Sequence, residues 1–231
     1  KKYLNGIQAY NRFLKFLHHI ISQQKIDIIE IADWNTFAMR VGFKVEWPTF
    51  SVPLVVKAHG SYTYFEHEMN RTGKKQILET DIALYKRANA VSAVSRYAAE
   101  KTAFLFGIKM PIKVLYNGLK LQHVPVAQQE PVEPTVVFTG SLIEKKGIFQ
   151  LAKAWNLVVQ KIPEAKLFIY GKGNKEAIIK LLNPASMKSV IFKGHVKKEA
   201  VLNALKMATL AVLPSYSETF GLAAAEAMAQ G

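Results

Sequence analysis

The chain has 231 residues, of which 50% are apolar and 11% aromatic, so it is long and apolar enough to bury a large core. This composition excludes a disordered protein and a small disulfide-stapled scaffold. The formal net charge is +14, from 31 basic and 17 acidic residues, and it favours anionic partners without choosing among nucleic acid, anionic lipid and phosphorylated small molecules. There is no cysteine, which rules out a thiolate metal site and a cysteine nucleophile.

Hydropathy and the two chain ends also bear on the class of protein. No apolar run approaches the roughly 18 residues that a membrane-spanning helix needs, so we expect a soluble or peripheral protein. The chain begins at Lys1 and ends at Gly231 inside the pattern Ala-Met-Ala-Gln-Gly. We therefore expect that pieces of both ends are missing and that a missing start would hide any targeting segment.

Short β-branched runs alternate with helical patterns along most of the chain, which is typical of a parallel, doubly wound α/β sheet. In the first half the predicted elements are a helix over residues 4–22, strands over 28–31 and 54–57, a helix over 76–88, a strand over 90–93, a helix over 97–106 and a strand over 112–115. In the second half they are a strand over 136–139, a helix over 149–162, a strand over 166–170, a helix over 175–182, a strand over 190–192, a helix over 200–208, a strand over 210–213 and a last helix from about 221.

A boundary between two domains is predicted where this alternation stops. Asn117-Gly118 is a turn signal, and residues 119–134 hold three prolines without clean periodicity, as a linker does. The predicted organisation is a first domain over residues 1–118, a linker over 119–134 and a second domain over 135–231. Two such α/β domains leave a cleft between them, which is the usual place for a ligand.

The most informative stretch, residues 214–231, follows the last predicted strand. Its loop lies at the carboxyl edge of the sheet, where α/β proteins bind ligands, and it opens a helix. Phe220, Gly221 and Leu222 would present backbone N–H groups at that helix N-terminus, and the glycine lets a ligand approach the backbone closely. The stretch therefore predicts an anion site.

Two acidic residues flank the predicted anion site. Glu218 and Glu226 are eight positions apart, about 12 Å along a continuous helix. A retaining glycosidase needs its carboxylates about 5 to 5.5 Å apart, so this pair is poorly spaced for hydrolysis. The spacing suits two hydroxyl-bearing parts of one extended ligand with phosphates between them. The alternative is that Glu218 caps the helix and Glu226 is a solvated helix residue.

The stretch from Glu218 to Glu226 resembles the E-x7-E motif of the retaining GT-B glycosyltransferases, specifically family 4 of that class, also called the group 1 glycosyl transferases. Segments in the expected order that also resemble the family are 27–34, Val56-Lys-Ala-His-Gly-Ser61, 93–97, 115–118, Phe138-Thr-Gly-Ser-Leu-Ile-Glu-Lys-Lys-Gly147, 163–173 and Phe192-Lys-Gly-His-Val196. The match covers most of the chain from about Ile28, and its specificity rests on the co-occurrence of these blocks.

The resemblance implies two Rossmann-like domains of GT-B type that face each other across a cleft, with the acceptor mainly on the first and the donor mainly on the second. It implies an enzyme that transfers a hexose-type sugar from a nucleotide-diphosphate sugar to an acceptor hydroxyl. Retention of anomeric configuration and the absence of an essential metal or cofactor are implied as well. The process that we expect is bacterial surface polysaccharide or glycolipid assembly.

The resemblance also implies roles for the matching positions. Glu226 would hold the donor ribose, Glu218 would contact the transferred sugar and Lys146 would bind the diphosphate. The implied site residues are His59 and Glu218 as catalytic residues, with Gly140, Lys146, Val196, Glu218, Thr219, Phe220, Gly221, Leu222 and Glu226 as donor-binding residues. A lone histidine at a strand end is more often structural, but the setting Ala-His-Gly-Ser favours a functional role for His59.

One departure from the family pattern keeps other functions open. The family usually places an arginine after the glycine at position 140, whereas this chain has Ser141, which carries no charge. Either Lys145 or another basic residue replaces that arginine, or donor binding is weaker. The alternatives are a catalytically degenerate sugar-nucleotide-binding protein and a GT-B-like sugar-nucleotide epimerase. A nucleic-acid partner is not expected, because aromatic and basic residues are not interleaved on one element.

The expected partners are a nucleotide sugar donor and a glycan or lipid-linked acceptor. Lysines number 26 against five arginines, which fits general electrostatic attraction better than bidentate recognition of phosphate. We therefore expect a cytoplasmic protein, peripheral on the anionic inner face of the plasma membrane. A merely soluble basic enzyme is the alternative.

Overall fold

The computed structural model describes the backbone of residues 2–34, 39–41, 44–119 and 133–231, and the side chains within 7–34, 47–119 and 133–231. The chain forms two compact units, Lys1–Asn117 and Gly118–Gly231, and each is described by itself. Most of the predicted linker, residues 120–132, lies outside the described residues. Within the described part of the chain, no helix is both long and apolar enough to cross a bilayer.

The first unit is built on a parallel sheet. Its elements are α1 (Lys2–Gln23), β1 (Ile29–Ala32), β2 (Met39–Val41), β3 (Lys44–Glu46), β4 (Leu54–Ala58), α2 (Tyr62–Glu68), α3 (Lys75–Arg87), β5 (Ala90–Ala93), α4 (Arg96–Phe106) and β6 (Ile112–Val114). The strand order of the main sheet is β1-β4-β5-β6, and every pair in it is parallel. β2 and β3 form a separate antiparallel pair.

The core of the first unit packs α3 and α4 against β4 and β5. Alternate residues of β4 are buried, as the two-residue period of a strand requires, and Leu54 and Val56 are at most 1% exposed. Leu84 of α3 is buried in the same cluster. Tyr85 stacks on Phe106 with 4.8 Å between the ring centroids. Each such buried side chain contributes roughly 1.5 to 3 kcal/mol to stability.

Serines start two helices at the carboxyl edge of this sheet. Ser61 caps α2 and accepts a hydrogen bond from the Tyr64 N–H at 3.3 Å. Ser95 caps α4 and accepts one from the Ala98 N–H at 3.0 Å. These side chains satisfy N–H groups that a helix cannot satisfy itself, and they fix where each loop ends.

The second unit repeats the parallel α/β pattern. Its elements are β7 (Thr135–Thr139), a 3₁₀ turn (Glu144–Lys146), α5 (Ile148–Lys161), β8 (Lys166–Tyr170), α6 (Lys175–Ile179), α7 (Pro184–Ser189), β9 (Val190–Gly194), α8 (Lys198–Lys206), β10 (Leu210–Ala211) and α9 (Leu222–Met228). The strand order is β10-β7-β8-β9, with parallel pairing throughout. Both units therefore have the predicted α/β class with parallel sheets.

The core of the second unit lies between its sheet and α5. Ile148, Trp155 and Ile178 are at most 1% exposed, and they pack in one cluster with Leu167 and Ile169 of β8. The buried indole still finds a polar partner, because Trp155 Nε1–H donates to Ser189 Oγ at 2.9 Å. This core holds the carboxyl ends of the strands in place.

The structure differs from the sequence-based prediction in a few elements. The single helix predicted over residues 175–182 is wrong: α6 ends at Ile179 and α7 begins at Pro184. A proline biases the residue before it away from helical geometry, and Asn183 instead caps α7 by accepting from the Ser186 N–H at 2.8 Å. The short helix α2 and the β2–β3 pair were not predicted.

Candidate functional site

A cavity of about 680 Å³ opens at the carboxyl edge of the second unit's sheet. The loops after β7, β8 and β9 meet there, because parallel strands bring their carboxyl ends to one edge. The lining residues are Thr139, Gly140, Ser141, Tyr170, Gly171, Lys172, Gly194, His195, Val196, Lys197, Lys198, Val201 and Glu226. The cavity has the position at which α/β proteins usually bind their ligands.

Glycines let these loops touch through their backbones. The Gly140 N–H donates to the Tyr170 carbonyl at 2.9 Å, and the Gly171 N–H donates to the Gly194 carbonyl at 2.8 Å. A Cβ on Gly171 would lie 1.8 Å from the Gly140 carbonyl oxygen, and the residue has φ +154°, so a side chain fits here neither sterically nor conformationally. A ligand in the cavity therefore meets backbone as well as side chains.

Glu226 is the one acidic side chain among the described residues that line the cavity. It lies on α9, and its Oε1 is 2.8 Å from the Nζ of Lys198, the first residue of α8. The lysine side chain is 60% exposed, so water screens the pair and it adds little to stability. The pair orients a carboxylate at the cavity wall, where it can accept hydrogen bonds from hydroxyl groups.

Lys146 and Glu218, both predicted to bind the donor, lie in direct contact. Lys146 Nζ is 2.5 Å from Glu218 Oε1, and Ser215 Oγ donates to the same oxygen at 2.8 Å. The two charged side chains are 23% and 28% exposed. This ion pair joins the 3₁₀ turn before α5 to the loop after β10, across 72 positions of sequence.

Close packing around Gly147 brings these two loops together. A Cβ at this position would lie 1.8 Å from the Pro214 carbonyl oxygen, and the backbone has φ +67°. Beside it, the Tyr216 N–H donates to the Lys145 carbonyl at 2.9 Å. Burial lowers the pKa of Lys145, as does the charge of neighbouring Lys146, while Glu218 opposes the shift.

The structure separates the predicted donor-binding residues into two groups. Gly140, Val196 and Glu226 line the cavity. Lys146 and Glu218 form the ion pair, and neither they nor the predicted amides, which belong to Thr219, Phe220, Gly221 and Leu222, are among the cavity's lining residues. Glu218 also precedes α9 instead of lying on it, so the two glutamates do not share one continuous helix.

Several basic residues of the cavity were not predicted from the sequence. Lys172 follows Gly171 in the loop after β8, and His195, Lys197 and Lys198 follow β9. The Lys172 carbonyl accepts a hydrogen bond from the Leu142 N–H at 2.8 Å. The loop after β8 therefore lies beside the loop after β7, which carries Ser141. Their position directly after strand ends is a signal that could have identified them, since those ends share one edge.

His59, the predicted catalytic residue of the first unit, lies in the loop directly after β4. Its backbone N–H donates to Asp33 Oδ1 at 3.0 Å, and the Gly60 N–H donates to Asp33 Oδ2 at 3.0 Å. Burial lowers the pKa of the imidazole, Lys57 lowers it further, and Glu30 acts in the opposite direction. The half-buried ring is therefore neutral at neutral pH.

The second unit's cavity is suited to an anionic ligand that also carries hydroxyl groups. Lys172, Lys197 and Lys198 supply positive charge, whereas Glu226 supplies a hydroxyl acceptor. Fixed cations of this kind stabilise negative charge on a ligand without reorganising. Among the described residues, no three histidine, aspartate or glutamate side chains cluster in a way that could hold a metal ion.

Comparisons with known proteins bear on the family and the fold of the chain. An uncharacterized glycosyltransferase of Methanocaldococcus jannaschii is 26% identical over 234 residues, which cover 92% of this chain and 57% of that protein. The crystal structure of WaaG, a glycosyltransferase involved in lipopolysaccharide biosynthesis, has a TM-score of 0.66 at 14% identity, over 93% of this chain and 60% of that one. A TarM variant of S. aureus, solved with UDP and α-GlcNAc-glycerol, has a TM-score of 0.63 at 22% identity, over 78% of this chain and 35% of that one.

The chain thus spans less than two thirds of each of these relatives. The profile of the glycosyl transferases group 1 matches residues 124–231, and that of glycosyltransferase family 4 matches residues 3–123. Together the two profiles account for nearly the whole sequence, and the parallel sheets match GT-B structures. The chain therefore belongs to glycosyltransferase family 4 and has the α/β fold of the GT-B glycosyltransferases.

Proposed function

We propose that the protein is a retaining, metal-independent glycosyltransferase that moves a sugar from a nucleotide-diphosphate sugar to an acceptor hydroxyl. The cavity at the carboxyl edge of the second unit's sheet carries this proposal. It combines a carboxylate on Glu226, three lysines and a rim of glycine backbone. UDP bound to the TarM relative supports a nucleotide-diphosphate donor.

The base and ribose of the donor occupy this cavity. Glu226 accepts hydrogen bonds from the ribose hydroxyls, and the backbone of Val196 contacts the base. Lys198 keeps the Glu226 carboxylate at the wall, since its Nζ lies 2.8 Å away. A charged acceptor makes a hydrogen bond about twice as strong as a neutral one.

Lys172 replaces the positive charge that the family places at position 141. It lines the same cavity as Ser141, and its carbonyl is hydrogen-bonded to the neighbouring Leu142 N–H. Breaking the glycosyl–phosphate bond develops negative charge on the leaving diphosphate, which a nearby ammonium group stabilises. Lys146 supplies the second charge once the diphosphate competes with Glu218 for its Nζ.

The reaction proceeds by front-face displacement, in which the leaving phosphate helps to deprotonate the acceptor. Glu218, together with the backbone amides of Thr219, Phe220, Gly221 and Leu222, contacts the sugar and phosphate oxygens, and His59 faces the donor sugar. The test of retention is the anomeric proton of the product by NMR, in the presence of EDTA. Inversion, or loss of turnover in EDTA, would refute the corresponding part of the proposal.

Two other activities remain as alternatives because of Ser141. A degenerate sugar-nucleotide-binding protein would bind the donor and form no product with any acceptor. An epimerase would release free sugar in place of a glycoside. Analysis of the products formed from UDP-, GDP- and ADP-sugars with a panel of glycan and lipid acceptors distinguishes all three.

The acceptor is a glycan or a lipid-linked glycan of bacterial surface polysaccharide or glycolipid assembly. The involvement of WaaG in lipopolysaccharide biosynthesis and the net charge of +14 support this choice. The protein acts in the cytoplasm, peripherally at the inner face of the plasma membrane, where anionic lipid attracts its lysines.

Substitution of Glu226 tests the donor site. Glu226→Gln retains the shape of the side chain but loses its charge, so two charge-assisted hydrogen bonds to ribose become neutral ones. We expect the dissociation constant for the preferred nucleotide, selected from UDP, GDP and ADP, to rise about tenfold. Isothermal titration calorimetry measures this constant directly.

Glu199→Gln is the matched control. Glu199 lies on α8 beside Lys198, is exposed and is not a lining residue of the cavity. It changes the net charge of the protein by the same amount, and losing one negative charge would by itself strengthen the binding of an anionic nucleotide equally in both variants. A weaker affinity in Glu226→Gln alone therefore reports the lost contact with the nucleotide. Unchanged nucleotide affinity in Glu226→Gln would remove Glu226 from the donor site.

A further inference from the structure

Asp33 directly follows β1 and is 2% exposed. Both carboxylate oxygens accept hydrogen bonds. Oδ1 accepts from the His59 N–H at 3.0 Å. Oδ2 accepts from the Gly60 N–H at 3.0 Å and from the Tyr85 hydroxyl at 3.1 Å. The donors come from the loop after β4 and from α3, so one side chain ties three parts of the unit together.

The hydrogen bonds to His59 and Gly60 explain why this position needs an aspartate. Two consecutive backbone N–H groups point at the two oxygens of one carboxylate. An asparagine of the same size has a single acceptor oxygen, and its amide nitrogen would face a second donor. Gly60 has φ +95°, so this turn also uses backbone geometry that most residues avoid.

We propose that Asp33 is a positioning residue, whose carboxylate fixes the His59-Gly60 backbone and thereby aims the His59 imidazole at the donor sugar. This inference rests on the proposed function, in which His59 faces that sugar. Asp33 touches no substrate and acts only through the loop that it holds. A loop that shifts by about 1 Å can lower turnover on the order of 100-fold, even when the chemistry itself is unchanged.

The charge of Asp33 determines whether its hydrogen bonds to the His59-Gly60 backbone persist. Burial raises the pKa of Asp33 to about 6, the hydrogen bonds from His59, Tyr85 and Gly60 oppose that shift, and the neighbouring Asp81 adds to it. Above about pH 6 the carboxylate accepts all three hydrogen bonds. Below that value it binds a proton and loses acceptor capacity, so the loop loosens as the pH falls.

Other titratable groups lie around the loop and also change charge or stay neutral as the pH falls. The ring of His59 titrates below its usual pKa, with Lys57 and Glu30 as charged neighbours. Tyr64 and Tyr85 have raised pKa values through burial, so they stay neutral in this range. Asp33, Asp81 and His59 therefore all enter the acid limb. The His59 amide also reports its own ring, so the Gly60 amide, which donates to Asp33 Oδ2, is the better probe of Asp33.

The first test is Asp33→Asn in the protein that shows turnover of UDP-, GDP- or ADP-glucose. We expect kcat to fall about 10- to 100-fold while KM for the nucleotide sugar changes less than about twofold. Asn89→Ala is the matched control. Asn89 Oδ1 accepts the Leu54 N–H at 2.9 Å, so the variant removes the same kind of bond at the opposite end of β4. The control should keep its kcat.

The second test does not depend on activity. In the ¹⁵N-labelled wild type, the amide signal of Gly60 should move with an inflection near pH 6, and Asp33→Asn should abolish that inflection. Tyr85→Phe removes a hydrogen bond that lowers the pKa of Asp33, so the inflection and the acid limb of kcat should move to higher pH together. Circular dichroism checks that each variant is folded.

The results separate this inference from the proposed function. A wild type that converts no nucleotide sugar but shows the amide inflection refutes the proposed function. It still demonstrates that Asp33 binds the backbone of the loop after β4. A wild type with turnover whose Asp33→Asn variant retains kcat, or whose amide inflection survives the substitution, overturns the positioning role.

Discussion

Individual glycines determine how closely the loops of the second unit approach one another. Gly147 and Gly194 both have φ +67°, a conformation that costs other residues about 1 to 2 kcal/mol. They differ in their surroundings. A Cβ on Gly147 would lie 1.8 Å from the Pro214 backbone oxygen, whereas a Cβ on Gly194 would meet nothing within 4 Å. Comparing substitutions at Gly147 and Gly194 therefore distinguishes the cost of backbone strain from the cost of a steric clash.

Alanine substitutions at these two positions should have unequal costs. We expect Gly194→Ala to lower the free energy of unfolding by about 1 to 2 kcal/mol, from backbone strain alone. Gly147→Ala should cost roughly 2 kcal/mol more, because a backbone oxygen cannot move aside without displacing the loop that carries Glu218. Urea denaturation of both variants, followed on the second unit, gives the comparison. Equal losses would show that the Gly147–Pro214 approach does not matter.

The strands of the two parallel sheets were largely predictable from the sequence. The strands over residues 90–93 and 166–170 have the predicted bounds, because a short buried strand between turn signals leaves few other interpretations. The sequence pattern predicted one helix where the structure has two short ones, α6 and α7. Apolar residues continue past the end of α6, which extended the predicted helix, whereas Asn183-Pro184 marks the start of α7.

The candidate site was predictable only in part. Gly140, Val196 and Glu226 were identified through the family resemblance, and the structure places them around one cavity. The pairs Lys198–Glu226 and Lys146–Glu218 join residues far apart in the chain, so no local pattern reveals them. The bonds that Asp33 accepts likewise depend on how β1 and β4 lie side by side.

The positive charge of the protein allows a direct test of membrane binding. Lysines dominate the positive charge, so attraction to a membrane should be electrostatic and sensitive to salt. We expect the protein to pellet with vesicles of about 70% phosphatidylcholine and about 30% phosphatidylglycerol at about 20 mM salt, and to be released at about 500 mM salt. Vesicles of phosphatidylcholine alone are the control. No pelleting at low salt would end the proposal of a membrane surface.

The proposed function requires that a nucleotide-diphosphate donor bind at the carboxyl edge of the second unit's sheet. The most direct measurement is a titration of the ¹⁵N-labelled protein with UDP, GDP and ADP, followed by backbone amide NMR. We expect one of the three to shift the amide signals of Gly171, Gly194 and Val196 in a saturable manner, and Glu226→Gln to weaken the response. If none of the three nucleotides moves those signals, the donor does not bind at this edge of the sheet.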